Sequence, residues 1–210
     1  ARREEHRGAI RRAIEWLDAR YPRPMTVAIE RGFFAHVESS RFSADLGRRE
    51  LEMIHINAVD WLLTEGVLEI WRDGARATYR TRDLILGPGG PLFTVPQREF
   101  LENLLASPLR LYEVLESRPG EGLVLRDVFD STRDPAAVRE RAGSRTLVQW
   151  DVVGARVVRA GDHLELSGSV YLFRKSPSEL VADIRLALAE LSEATADPEH
   201  LQRFLSKTII

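Results

Sequence analysis

Apolar residues recur at helical spacing over 6–20, where Ile10, Ala13, Ile14 and Leu17 share a face opposite Arg and Glu. Tyr21-Pro22-Arg23-Pro24 is expected to end that helix. A second helix is expected over 26–38, carrying Val27, Phe33, Phe34 and Val37. A third is expected over 44–65, N-capped by Ser43, with Leu51, Ile54, Ala58 and Leu62 as its buried stripe and Trp61 widening it. Gly66 stands where a helix C-terminal glycine belongs.

The period then shortens. Val67–Trp71 and Arg76–Thr81 flank Asp73-Gly74, a strong hairpin signal. Gly87-Pro88-Gly89-Gly90-Pro91 is a loop. Thr94 and Gln97 form a capping box, with Pro96 in the first turn, for a helix bearing Phe100, Leu101, Leu104 and Leu105. From Leu109 to Phe173 the pattern is β. Strands are expected at 109–116, 123–129, 138–141, 150–159 and 163–173, divided by Pro119-Gly120-Glu121-Gly122 and Gly161-Asp162. Four or five short antiparallel strands imply a small closed barrel or a strongly curled sheet. Ser176-Pro177-Ser178-Glu179 opens a helix buried along Leu180, Ile184, Leu188 and Leu191, and Asp197-Pro198 opens a last short one.

The fold class is therefore α+β: N-terminal helices with a β-hairpin over 1–107, a small antiparallel β-barrel-like module over 108–174, and C-terminal helices over 175–210 that pack back. The chain starts at Ala1 and stops on Ile209-Ile210, which suggests a piece of a longer protein.

Composition narrows the chemistry. The 210 residues carry 30 basic and 32 acidic side chains, a formal charge of −2. That total gives no global field to hold a nucleic acid or an anionic membrane. No apolar run approaches the roughly 20 residues of a membrane span, and the charged N-terminus has no signal core. A cytoplasmic protein with no membrane partner is the expectation. The absence of cysteine excludes disulfides, thiolate zinc sites and a cysteine nucleophile. All basic residues but Lys175 and Lys207 are arginine. They are interleaved with acids, as a GC-rich genome would leave them.

Three helices and a hairpin follow the order of a winged helix, with Arg72, Arg76, Arg80 and Arg82 on the wing as candidate phosphate contacts. The third helix opposes that use. Two arginines face five acids over 44–65, and phosphate repels such a surface. The barrel, of a type like OB or SH3 barrels, is the other candidate nucleic-acid surface. Trp71 and Tyr79 would matter if both prove exposed across the hairpin.

Catalytic and metal signals are missing. His6, His36, His55, His163 and His200 form no HxxxH or HExxH arrangement. His55 with Glu52 could be an acid–base couple, but a structural pair is the commoner use of that spacing. Asp130 and Asp134 lack the alternation and glycine of a calcium loop and read as turn formers, and Asp151 reads the same way. Neither a phosphate loop nor a nucleophile elbow is present. No cofactor, no metal and no catalytic residue are expected. An enzyme with residues dispersed through the fold is the third possibility; the sequence sets no oligomeric state.

Tyr112, Glu113, Val114, Gly122, Leu125, Arg126, Asp127, Ser144, Asp151, Ala155 and Arg156 follow a pattern met elsewhere: a Tyr/Phe-Glu-Val strand, a glycine turn, Leu-Arg-Asp, a serine segment, then Asp-x-x-x-Ala-Arg-Val. In this stretch the chain resembles a module of uncharacterised bacterial proteins that often carry a SEC-C zinc-binding motif. Without cysteine it cannot build the SEC-C zinc site, and the resemblance implies no catalytic residue. The function expected is a non-enzymatic interaction or adaptor module with a protein partner. Its contact surface would be the barrel rim at Arg126, Asp127 and Arg156, unless an Arg–Asp pair there is a structural salt bridge. Nucleic-acid binding is the alternative.

Overall fold

A computed structural model describes residues 2–34, 47–72, 74–130, 132–173 and 176–190. The chain divides between Ser107 and Pro108 into two compact units.

The first unit begins with α1 (Arg2–Arg20) and α2 (Pro22–Ala28), the latter running on into a π-helical turn at Ile29–Phe33. Tyr21-Pro22-Arg23-Pro24 does not simply end the first helix. Pro22 occupies the first turn of α2, where proline's missing N–H is no loss. The stripe of α1 is His6, Ala9, Ala13 and Leu17, all buried, while Ile10 and Ile14 lie half-buried at its edge. His6 stacks on Phe100 at 4.0 Å between ring centres. Gly32 is required by packing, since a Cβ there would lie 2.1 Å from the Trp61 indole.

Helix α3 runs over Arg48–Thr64, preceded by Gly47. Ser43, and the parts of the expected helices over 35–38 and 44–46, lie outside the described residues. Ile54, Ala58, Trp61, Leu62 and Leu63 are buried, but Leu51, on the same face in the first helical turn, is exposed. The hairpin pairs β1 (Val67–Arg72) with β2 (Ala75–Arg80), Trp71 opposite Arg76. The second strand stops one residue early. Thr81 opens α4 (Thr81–Leu86), with its hydroxyl donating to the Gly66 carbonyl at 3.0 Å. Helix α5 (Val95–Leu105) has the expected capping box. Gln97 N–H donates to Thr94 Oγ1 at 3.4 Å and Thr94 N–H to Gln97 Oε1 at 3.1 Å.

The second unit holds a closed five-stranded barrel of β3 (Arg110–Arg118), β4 (Gly122–Asp127), β5 (Ala136–Val138), β6 (Val152–Ala160) and β7 (His163–Phe173). Around the barrel the order is β3-β4-β5-β7-β6, with β3 and β6 also paired. All contacts are antiparallel except β5 with β7, which meet in parallel at Val138 and Leu164. The expectation of an all-antiparallel barrel is corrected at that seam: β7 runs antiparallel to β6, and the link from β5 across the barrel brings the two in the same direction. The short strand lies at 136–138 and not at 138–141.

Alternation places Tyr112, Val114, Leu123, Leu125, Val138, Val153 and Ala155 inside, with Leu147 from the β5–β6 link. Outside, Leu111 and Val152 pack under Leu180 and Ile184 of α6 (Pro177–Glu190). Ser176 caps α6: Glu179 N–H donates to its hydroxyl and Ser176 N–H to the Glu179 carboxylate at 2.9 Å. Leu191 and the helix expected after Asp197 lie outside the described residues. Among the described residues no helix is long and apolar enough to cross a membrane.

Candidate functional site: the barrel surface

Neighbouring residues on a strand point to opposite faces. Arg126 and Asp127 therefore cannot pair with each other, and each takes a partner on β3. The Arg126 guanidinium, half-exposed, binds the nearly buried Glu113 carboxylate. Asp127 points the other way and accepts from Arg110 Nη1 at 2.9 Å. Its second oxygen accepts the backbone N–H of Phe129 and Asp130 at 2.9 and 3.1 Å. Asp127 thus anchors the loop leaving β4. Arg156, opposite Ser167 on β7, is buried as well. Of the three expected rim residues only Arg126 presents its side chain to solvent.

Asp130 is spent on its own turn, taking bonds from Thr132 Oγ1 at 2.6 Å and Arg133 Nε at 2.8 Å, which hold its carboxyl below the usual carboxylate range. Asp151 accepts from Val148 N–H at 2.8 Å, again a turn contact. Tyr112 sits beside Arg110 and Asp127, and burial pushes its phenol up to about 12. A phenol held neutral in this way is no general base at physiological pH. Among the described residues no group of three or more His, Asp or Glu could hold a metal ion. His55 is exposed, and Glu52 beside it binds Arg48 at 3.1 Å, so the acid–base couple is not assembled.

A cleft of about 340 Å³ lies across β4 and β5, between the β3–β4 turn and the β6–β7 turn. Val124 and Ala137, paired across the outer face of the two strands, give its floor their aliphatic side chains, and the strands' core residues Leu123 and Val138 also line it. Glu116, Arg118, Glu121, Arg139 and Asp162 form a rim of both signs, with His163 at one end. Arg118 Nε and Nη2 grip both Glu116 oxygens at 2.7 and 3.1 Å, and this holds the Glu116 carboxyl below its usual range. His163 Nδ1 lies 3.0 Å from Asp162, whose carboxyl is held low chiefly by that bond, and its Nε2 lies 3.7 Å from Glu165. Sequence reasoning missed this site because its parts come from four strands. The only local signs were the two turns that wall it.

On the hairpin, Val67, Glu69, Trp71, Arg76, Thr78 and Arg80 alternate onto one face. Trp71 is 73% exposed, while Tyr79 is half-buried on the other face opposite the buried Leu68. Arg76 is paired with Glu69, and Arg82 lies 4.0 Å from Asp83. Arg80 is exposed. The Arg72 side chain lies outside the described residues.

Comparison with known protein families, with curated proteins and with solved structures gives no match.

Proposed function

We propose that this chain is a non-enzymatic protein-interaction module, the adaptor part of a longer bacterial protein, acting in the cytoplasm through the cleft over β4 and β5. The observation that carries the reading is the make-up of that cleft: an aliphatic floor inside a rim of three acids and two arginines. The strand order, with a parallel contact between the third and fifth strands, is that of an OB barrel. Such barrels bind oligonucleotides or oligosaccharides across their second and third strands, between the loops that join strands one to two and four to five, so the strand order locates a ligand face and the lining chooses the ligand. Here those elements are β4, β5 and the two turns that wall the cleft.

The lining argues for a protein over a nucleic acid. It includes no Phe, Tyr or Trp on which bases could stack, and its single ring, His163, is engaged with Asp162. Its mixed charge makes no cationic groove for a phosphate backbone. A protein partner accepts both features, since interfaces join an apolar centre to a polar rim. A photo-crosslinking residue at Val124 tests this in cells. The expected result is one discrete protein crosslinked from Val124, lost on adding Ala137→Asp. Absence of any such product overturns the reading.

A second reading, nucleic-acid binding by the hairpin, is favoured by the exposure of Trp71 opposite Arg76, with Arg80 farther along the same face. It predicts a mobility shift that weakens steeply with salt and is lost in Trp71→Ala. No shift at low salt overturns it.

A further inference from the structure

A second surface of the barrel differs from the cleft in its chemistry. Strand β3 carries a bulge between Val114 and Glu116, so Leu115 has no opposite number on β4. Bulges re-aim side chains, and Leu115 lines a groove of about 330 Å³ with Pro119, Ser144, Arg145, Leu147 and Val148. The walls are tied together. Gly120 N–H donates to Ser144 Oγ at 3.0 Å and Ser117 Oγ to the Ser144 carbonyl at 3.0 Å. Leu147 N–H donates to the Gly143 carbonyl at 2.8 Å. The groove is preformed, which lowers the ordering cost of binding.

What it presents is apolar and cationic. Val148 is 61% exposed, and two residues on, Trp150 is 60% exposed. Trp150 also has φ +75°, a conformation that bulky side chains rarely adopt. Its N–H donates to the Val114 carbonyl at 2.8 Å, and Val114 N–H donates to the Asp151 carbonyl, also at 2.8 Å. Two backbone irregularities, the bulge and the left-handed tryptophan, thus flank one another and leave Leu115 half-buried and Trp150 exposed. Arg145 has no carboxylate partner among the described residues. The acid in the lining, Glu116, has both oxygens engaged by Arg118. The uncompensated charge in the groove is therefore positive, and a guanidinium fork matches a carboxylate.

We infer that this groove is a docking site for an acidic peptide segment, one that sets a carboxylate on Arg145 and a large apolar side chain against Leu115 and Val148. The site adjoins the cleft over β4 and β5 and shares Glu116 with it, but Leu115, Arg145 and Val148 lie outside that cleft and the inference does not rest on it. Peptide display on the full chain supplies the probe. Fluorescence anisotropy then measures the most enriched peptide on the wild type and on Arg145→Glu, Val148→Asp and Val124→Asp. Arg145 and Val148 are exposed and Val124 is half-buried, and circular dichroism checks that each variant folds.

Enriched peptides are expected to place Asp or Glu beside Leu, Ile or Phe. Arg145→Glu and Val148→Asp should each weaken binding by about tenfold or more, as loss of a central contact does. Val124→Asp should leave it unchanged. Failure of enrichment, enrichment of basic or apolar-only peptides, or binding that survives Arg145→Glu within about twofold overturns the inference. So does a concentration-dependent dimer in sedimentation velocity that Val148→Asp dissolves, which would make a second copy the occupant. Loss of binding in Val124→Asp alone would move the peptide to the cleft.

Discussion

Asp127 and Arg110 face each other at 2.9 Å across the start of the barrel, both almost wholly withdrawn from water. Removing one partner of such a pair strands the other charge. Asp127→Ala should cost about 3–5 kcal/mol, measured by urea unfolding. It also releases the two backbone amides that Asp127 holds.

The pair beside it should behave unequally. Glu113 is nearly buried, whereas Arg126 is half in solvent. Arg126→Ala leaves a buried carboxylate without its donor and should cost about 1–3 kcal/mol. Glu113→Ala frees an arginine that can turn to water, and should cost about 1 kcal/mol or less. Equal losses in the two variants would refute this assignment of burial.

Burial raises the Tyr112 phenol to about 12 from an ordinary value near 10. The folded state therefore holds this proton more tightly than the unfolded state. The stabilising contribution is complete below the unfolded value and is lost as pH rises from about 10 to about 12, to a total of roughly 2–3 kcal/mol. Stability measured across that range should fall more steeply in the wild type than in Tyr112→Phe.

Trp150 at φ +75° stores backbone strain that its exposed indole does little to offset. The left-handed conformation costs a side-chain-bearing residue about 1–2 kcal/mol, and glycine's unfolded-state entropy returns about half of that. Trp150→Gly should leave stability unchanged or raise it by up to about 1 kcal/mol, while Trp150→Val should lower it by about 1–2 kcal/mol. Thermal unfolding of both distinguishes a residue kept for its exposed surface from one kept for folding.

At the junction of β4 and β5 the backbones come close. A Cβ on Gly122 would lie 2.2 Å from the Val138 carbonyl oxygen. Gly122→Ala should cost about 2–4 kcal/mol, since the strand must shift to admit it. The loss should show as reduced amide protection in β5.

Features written in local signals were legible in the sequence. The hairpin at Gly74, the Thr94–Gln97 capping box, the Ser176 helix start and the turns of the barrel all follow from residue types within a few positions of one another. What escaped depends on distant partners. Helix α4 was hidden because Thr81 continues the strand pattern, and its N–H and hydroxyl bonds to the distant Gly66 carbonyl leave no local sign. Leu51 matched the helical period, yet whether a matching position is covered depends on what packs against it. Arg126 and Asp127 are adjacent in sequence, which suggested a pair. Their true partners, Glu113 and Arg110, lie on another strand whose register no local pattern sets. The cleft was illegible for the same reason.

One pairing, Val138 with Leu164, joins β5 to β7, backed by a 2.8 Å bond from Arg139 N–H to the Leu164 carbonyl. Every other strand contact around the barrel is longer. The cylinder is thus fastened at its weakest point by its shortest strand. Opening there needs the loss of very few hydrogen bonds and would turn a closed wall into a sheet with two edges, baring Leu123, Leu125 and Leu166. Edge-to-edge pairing through an opened barrel would then be held off by how tightly three residues, 136–138, stay in place.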